Sequence, residues 1–412
     1  MENAQIIIVG AGAAGLMAGI WAGRSNPNRR IVLLDGAPKI GRKILIAGGG
    51  RCNVTHHEVT EQAYAGASRN AIKKVLRQFN VDQTIDFFKR LGVKLKQEET
   101  GKLFPTTDKA STVLEALMQE VGLYATLLTN HRVETITSNG DRFIVSGNFG
   151  QMSAQKVILA TGGKSIPKTG SDGRGYEIAQ ELGHSLTPRI FPALVPLTVP
   201  RKHWIRDLKG ITVPTTLELW TSTGKRLESF TNSMLCTHFG LSGPGVLDMS
   251  RYYLEALGHD SKVQLTLNWV PDWESEQFAG MLKNERKQSV QQILRNKMPD
   301  RLARTLLEQS LGDLLEAHGV QQPANQLSKA ERKKVVETVT RFPVPVAGNR
   351  GFDFAEVTAG GVPLNELHLN TLLSRICPNL YFCGEILDVD GRIGGFNFQW
   401  AWASGYLAGR AV

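Results

Sequence analysis

The residues best suited to chemistry lie in glycine-rich turns near the two ends of a 412-residue chain. Gly10-Ala-Gly12-Ala-Ala-Gly15 follows the β-branched run Gln5–Val9 and opens an alanine-rich stretch reaching Arg24. A second apolar run, Ile31–Leu34, ends at Asp35. In such a strand-turn-helix-strand unit each part has a mechanical reason. Gly10 permits the tight turn, Gly12 lets a pyrophosphate reach the backbone, Gly15 lets helix and strand pack closely, and the Asp35 carboxylate accepts from ribose hydroxyls. The helix N-terminus adds favourable potential for the phosphates. The pattern predicts a dinucleotide site.

Two further stretches select the dinucleotide. Gly41-Arg42-Lys43 and Gly48-Gly-Gly50-Arg51-Cys52-Asn53 follow Asp35 in what reads as one loop, supplying cations and exposed amides. Three consecutive glycines are costly to order unless something holds them, which suits a large bound cofactor. Far downstream, Asn379–Cys383 reads as a strand ending in Gly384-Glu385, placed to meet a ribityl chain. Gly391–Asn397 then leads into a terminal helix, whose N-terminus can stabilise negative charge on a reduced flavin ring, with Gly394, Gly395 and Asn397 as contacts. The aromatic series Phe396, Phe398, Trp400, Trp402 and Tyr406 reads as wall and core.

Composition bounds the rest. With 42% hydrophobic and 21% charged residues the chain is globular, of two or three domains. Ile6–Gly23 is uncharged, but its glycine centre reads as a turn between strand and helix rather than a membrane span. Cys52, Cys236, Cys377 and Cys383 show neither metal-ligand spacing nor a C-x-x-C pair, which fits a reducing cytoplasm and no metal. A net charge of +10 permits an anionic partner.

Residues 69–91 and 107–121 have helical spacing, and alternating segments from Ala125 to Leu159 flank a hairpin signal at Asn139-Gly140. The texture changes near Pro192 to short alternating runs such as Thr215–Trp220, and again at 275–341 to helical periodicity. The helical stretch carries Lys283, Arg286, Lys287, Arg295, Lys297, Arg301 and Arg304 against Glu285 and Asp300. This charge suits either a solvated helical face or RNA. No Ser-His-Asp set shows recognisable spacing, so hydrolysis is not expected.

These pieces together resemble the BaiN/RdsA-type family of FAD-dependent oxidoreductases over essentially the whole chain. The resemblance rests on GAGAAGL at 10–16, GRKILIAGGGRCNVT at 41–55, ATGGKSIPKTGSDGRGY at 160–176, THFGLSGP at 237–244, TAGGV at 358–362 and YFCGEILDVDGRIGGFNFQWA at 381–401. It implies an α/β fold, a Rossmann-like (glutathione-reductase-like) FAD-binding domain interrupted by a β-barrel-like segment and a helical insertion. The corresponding expected segments are 1–190, 191–272, 273–342 and 343–412. Carried over residue by residue, it puts Ala14, Asp35, Lys43, Arg51, Cys52, Asn53, Gly384, Glu385, Gly395 and Asn397 at the FAD. Val133 becomes a backbone contact to adenine, Thr161 and Gly162 support the same site, and Gly10, Gly12, Gly15, Arg42, Gly50 and Phe396 fall inside the matching motifs.

The family's substrates include a carbon–carbon double bond in bile acid intermediates, uridine in 23S ribosomal RNA, and amines. The RNA-modifying branch, which makes dihydrouridine, is the nearest in THFGLSGP and GGFNFQWAWASG. Double-bond reduction needs a hydride, with NAD(P)H as a transient donor, and a proton from a positioned acid. His238 and Cys52 are the candidates, and the sequence does not choose between them. A small-molecule oxidase or enoate-type reductase, and a flavin-bearing RNA-binding factor without turnover, remain the alternatives. No membrane or DNA partner is expected.

Overall fold

The computed structural model describes residues 2–139, 141–312 and 322–412, which form two compact units. One comprises Met1–Pro192 with Ala355–Val412, the other Ala193–Phe354.

The first unit is built on a nine-stranded sheet. Its heart is parallel: Leu380–Phe382, Gly150–Leu159, Glu2–Val9, Ile31–Leu34 and Ala125–Leu128 lie side by side in that order. Ile6, Ile7 and Ile8 are all buried, because a central parallel strand is covered on both faces. The uncharged run at the start is thus strand Glu2–Val9 and helix Ala13–Ser25. No described helix is long and apolar enough to cross a membrane. Val133–Ser138 and Phe143–Gly147 pair antiparallel around Asn139 and join the sheet at Gly150–Ala154; Gly140 of the expected turn lies outside the described residues.

The first strand and the strand Leu380–Phe382 both pair with Gly150–Leu159. Behind them the helix Ala13–Ser25 packs on the terminal helix Phe396–Ala411 with backbones nearly touching. A Cβ on Gly405 would sit 2.5 Å from the Ala14 carbonyl oxygen, and one on Gly409 2.3 Å from that of Ala18. Small residues at these positions bring the two ends of the sequence onto one site.

The 69–91 stretch is two helices, Arg69–Leu76 and Val81–Arg90, because Asn80 caps the second through a reciprocal capping box with Gln83. The 41–53 stretch is not all loop either. It begins as a helix at Arg42 and breaks at Ala47, after which Gly48, Gly49 and Gly50 all take positive φ.

The second unit carries a seven-stranded antiparallel sheet centred on the long hairpin Thr212–Trp220 and Arg226–Thr237. Val213, Thr215, Leu217 and Leu219 point inward and alternate with more exposed residues, the pattern of a sheet covered on one face. The helix Pro244–Leu257 packs against the hairpin. Four helices, Ser275–Asn284, Val290–Arg295, Asp300–Leu311 and Lys329–Thr340, belong to the same unit; 313–321 of the expected helical stretch lie outside the described residues.

Candidate functional site

The site grows from the tips of the parallel strands in the first unit. Gly10 has φ +101°, and a Cβ there would meet the Ala160 carbonyl oxygen at 2.5 Å. A Cβ on Gly15 would lie 1.9 Å from the Gly10 oxygen, so both positions admit glycine alone. Gly12 differs: nothing lies within 4 Å of its Cβ position, leaving the first helix turn open to a ligand. Asp35 is half-buried, and its carboxylate accepts from the amides of Ala11 (2.8 Å) and Ala37 (2.8 Å). It therefore holds the glycine turn in shape, a role the sequence did not announce.

Two buried polar atoms of the expected cofactor residues, one of them next to this turn, have no partner among the described residues. The Asn53 Oδ1 and Thr161 Oγ1 atoms are fully enclosed and form no hydrogen bond. An enclosed polar atom left unbonded costs on the order of 1–3 kcal/mol. Together with the open space at Gly12, the pair fits a bound polar cofactor such as FAD. Ala14 lies buried in the first turn of the helix, and Gly162 has φ +74° with Ser171 Oγ where a Cβ would go. Val133 is buried at the start of its strand, beside a register shift.

Charged residues expected at the cofactor are drawn into one another. Lys43 Nζ donates to Glu385 Oε2 (2.8 Å) and to Ser165 Oγ (2.9 Å). The other Glu385 oxygen accepts from Ser165 Oγ (2.8 Å) and the Thr358 amide (3.0 Å). Thr358 Oγ1 in turn accepts from the amides of Lys164 and Ser165. A closed network thus joins 41–55, 160–176, TAGGV and the Gly384-Glu385 turn. Ser165 and Thr358 were visible in those motifs but carried no sign of the link.

Arg51 and Arg42 also find protein partners. Arg51 ion-pairs with Glu98, lies 3.8 Å from Asp108, and its guanidinium sits 4.0 Å from the Phe104 ring centroid. Arg42 is exposed and donates to the Lys168 carbonyl oxygen. Gly50 is exposed at φ +85°.

At the other end, Gly384 is buried at φ +82°, its amide donating to Ser404 Oγ (2.9 Å) and its carbonyl accepting from Trp400 Nε1 (3.2 Å). A Cβ on it would lie 2.8 Å from that of Ala14. Gly395, at φ +97°, caps the terminal helix against Thr55. Asn397, expected at the flavin, clamps Gly391 with its side chain, accepting from its amide and donating to its carbonyl oxygen, each at 2.8 Å. Its amide function is spent on the turn that presents Gly394 and Gly395. Phe396 stacks on His56 at 5.0 Å, and its carbonyl oxygen accepts from Tyr64 Oη at 2.8 Å. Gln399 pins the helix from within, accepting from Thr55 and Thr84 hydroxyls and donating to the Phe79 carbonyl oxygen.

The two proton-donor candidates differ sharply. Cys52 is fully buried at φ +61°, and burial pushes its thiol up to about 12. Such a thiol keeps its proton and is enclosed by the fold. His238, in the second unit, is exposed, and its ring nitrogens bond to nothing among the described residues. Its carbonyl oxygen accepts from Arg206 Nε at 2.6 Å.

One arrangement was not expected. Ser374 Oγ lies 2.8 Å from His184 Nε2, and His184 Nδ1 lies 2.7 Å from Glu366. The order is that of a hydrolytic triad, assembled from residues too far apart in sequence to suggest it. Ser374 is buried, however, and its oxygen already accepts from the amides of Ile376 (3.0 Å) and Cys377 (2.8 Å). Its proton must then go to Nε2, leaving the ring proton on Nδ1 for Glu366. Every lone pair is used, so the set is a strut.

Comparison with known proteins agrees with the motifs. A family model described as "HI0933-like protein Rossmann domain" matches residues 4–411. The 3-dehydro-bile acid delta(4,6)-reductase of Clostridium scindens is 35% identical over 99% of this chain and 98% of its own. The ribosomal RNA dihydrouridine synthases of Escherichia coli and Haemophilus influenzae are 34% and 33% identical, over 98% and 100% of this chain and 97% and 99% of theirs. Among solved structures, 3-ketosteroid delta1-dehydrogenase from Sterolibacterium denitrificans aligns over 99% of both chains at 11% identity and TM-score 0.51. A quinol-fumarate reductase aligns over 99% of this chain and 70% of its own at 18% identity and TM-score 0.51; both show a shared fold. The resemblance read from the motifs is borne out, and the chain belongs to the HI0933-like family as an FAD-dependent oxidoreductase on a Rossmann-type FAD-binding fold.

Proposed function

We propose that this protein reduces a carbon–carbon double bond conjugated to a carbonyl, with uridine in 23S ribosomal RNA as substrate and dihydrouridine as product. The observation that carries the reading is a shared reaction. Relatives matching nearly the full chain are named for a bile acid delta(4,6)-reductase and for dihydrouridine synthesis. Uracil and an oxo-diene both present an alkene in conjugation with C=O, so hydride at one carbon and a proton at the other complete either reaction.

When bound, FAD supplies the hydride, NAD(P)H being the proposed reductant that restores it. The chain's residues do the rest. The first helix, opened by Gly12, would hold the cofactor's phosphates with its N-terminal amides, and Asn53 and Thr161 would take its polar groups with their unbonded oxygens. The N-terminus at Gly395 lends positive potential to whatever negative charge forms before it. His238 is the proposed proton donor, because its ring is exposed and bonds to nothing among the described residues, whereas burial pushes the enclosed Cys52 thiol up to about 12.

RNA is favoured as substrate by the net charge of +10 and by the basic stretch, in which Lys283, Arg286 and Lys287 are exposed and have no acid partner among the described residues. Arg295, Lys297 and Arg304 pair with Asp300 and Asp272, which tempers that surface. A cytoplasmic location follows from such a substrate. The second reading, reduction of a small enone, rests on the bile acid relative. Mass-spectrometric mapping of 23S rRNA from cells lacking this protein should show uridine at one site that carries dihydrouridine in the parent. An unchanged dihydrouridine complement, with anaerobic NADPH-driven turnover of a steroid enone by the purified protein, would replace the RNA reading with the second.

A further inference from the structure

The second unit holds a column of stacked groups that runs on from the proposed proton donor His238 and that the flavin site does not use. The His238 ring meets Phe239 edge-on at 5.0 Å. On Phe239 lies the guanidinium of Arg350, 4.5 Å from the ring centroid, and on that guanidinium lies Phe354, at 3.3 Å. Local turn chemistry builds the column. Asn349 Oδ1 accepts from the Gly351 amide (2.8 Å), Gly351 takes φ +70°, and the short 3-10 turn Phe352–Phe354 folds Phe354 back over Arg350.

Two properties mark the column as poised for a ligand. Among the described residues, Arg350 has no carboxylate partner; its backbone amide bonds the Pro196 carbonyl oxygen and its guanidinium has only the two rings. Phe354, the terminal ring, is 48% exposed and among the described residues stacks only on Arg350. The cation–π contact holds the guanidinium in place while leaving the outer face of Phe354 and the N–H edge of Arg350 open to a flat, anionic ligand.

We propose that this column is a stacking platform for single-stranded RNA, in which a nucleobase lies against Phe354 and an adjoining phosphate takes the free N–H groups of Arg350. The inference rests on the RNA reading above and names the surface that serves it. A nucleobase extends a π–cation–π column because it has a flat π-face of its own, and its backbone brings the anion the cation lacks. A saturated ring skeleton would gain apolar contact alone. Asp353, exposed and adjacent in sequence to Phe354, is the acid that opposes this attraction.

The test uses the full-length, FAD-loaded protein and two fluorescent probes, an oligouridylate of about ten nucleotides and an abasic chain of the same length, read by anisotropy. Phe354→Ala should weaken the oligouridylate by about ten-fold and leave the abasic chain unchanged, because only the former can stack. Arg350→Met should weaken both, and Asp353→Asn should tighten both by about two-fold. Because Phe354 is half in solvent, F354A should keep its FAD content and melting temperature. Wild-type-like binding of the oligouridylate by F354A, or equal losses on both probes, overturns the platform while leaving the RNA reading intact. Failure of the wild-type protein to bind either probe overturns both.

Discussion

Consider the link between Lys43 and Glu385, 342 residues apart in sequence and 2.8 Å apart in space. Glu385→Gln keeps the shape and one acceptor for Ser165 and Thr358, but sets a neutral amide against the ammonium. A charge-assisted hydrogen bond is worth about 1.5–3 kcal/mol. The Lys43 and Glu385 side chains are 26% and 20% exposed, so solvent screening pulls the expected loss to the lower part of that range, about 1.5 kcal/mol. In a unit of this size that is a fall of about 3–6 °C in melting temperature. Lys43→Met should cost about as much, because it leaves the carboxylate with neutral donors only. The double variant should then cost less than the two single losses combined, by about 1 kcal/mol or more. Urea unfolding of flavin-depleted wild type, both single variants and the double variant measures this coupling without help from FAD. Additivity within about 0.5 kcal/mol would refute the argument, since it would mean the two charges do not feel each other.

Other perturbations test other parts. Gly12→Ala should leave the stability of the flavin-free protein within about 0.5 kcal/mol of wild type yet lower FAD retention, whereas Gly15→Ala should damage both; flavin absorbance and apo-protein melting separate the two effects. Cys52→Ala should retain turnover within a few-fold at a stability cost of about 1 kcal/mol, and a loss of turnover with normal flavin content would return the thiol to a chemical role. Burial, opposed by the Glu366 hydrogen bond, holds His184 below its ordinary 6.5, so the folded protein prefers the neutral ring. The stability this confers is complete above about pH 6.5 and is lost as pH falls below that toward the folded value. The stability difference between wild type and His184→Gln should therefore shrink across that acid range, and a pH-independent difference would count against the strut.

The glycine turn, Asp35 and the terminal helix were readable because each is a local pattern with a steric cause: a Cβ at Gly10 or Gly15 strikes backbone, and no other residue type serves. What the sequence hid is how side chains are consumed once the segments meet. Asn397 reads as a ligand contact but spends its amide on Gly391, and Arg51 reads as a cofactor cation but faces Glu98 and Asp108. The triad-like set of Ser374, His184 and Glu366 escaped because spacing along the chain says nothing about residues joined across a sheet edge. The kinked helix at Arg42–Gly50 was read as loop because its glycines dominate the window, although the six residues before them have ordinary helical propensity.

The near-contact of Gly405 and Gly409 with the first helix has a bearing on biogenesis. The nucleotide turn leaves the ribosome long before the helix that must seat against it. Everything between has to emerge before the first helix can bury its small-residue face. Closure of this nucleotide site thereby waits for that helix to emerge, and it joins segments nearly four hundred residues apart, a high-contact-order step that is slow by its topology. Shortening the final helix by two turns should thus yield a chain that is made in full but never turns yellow.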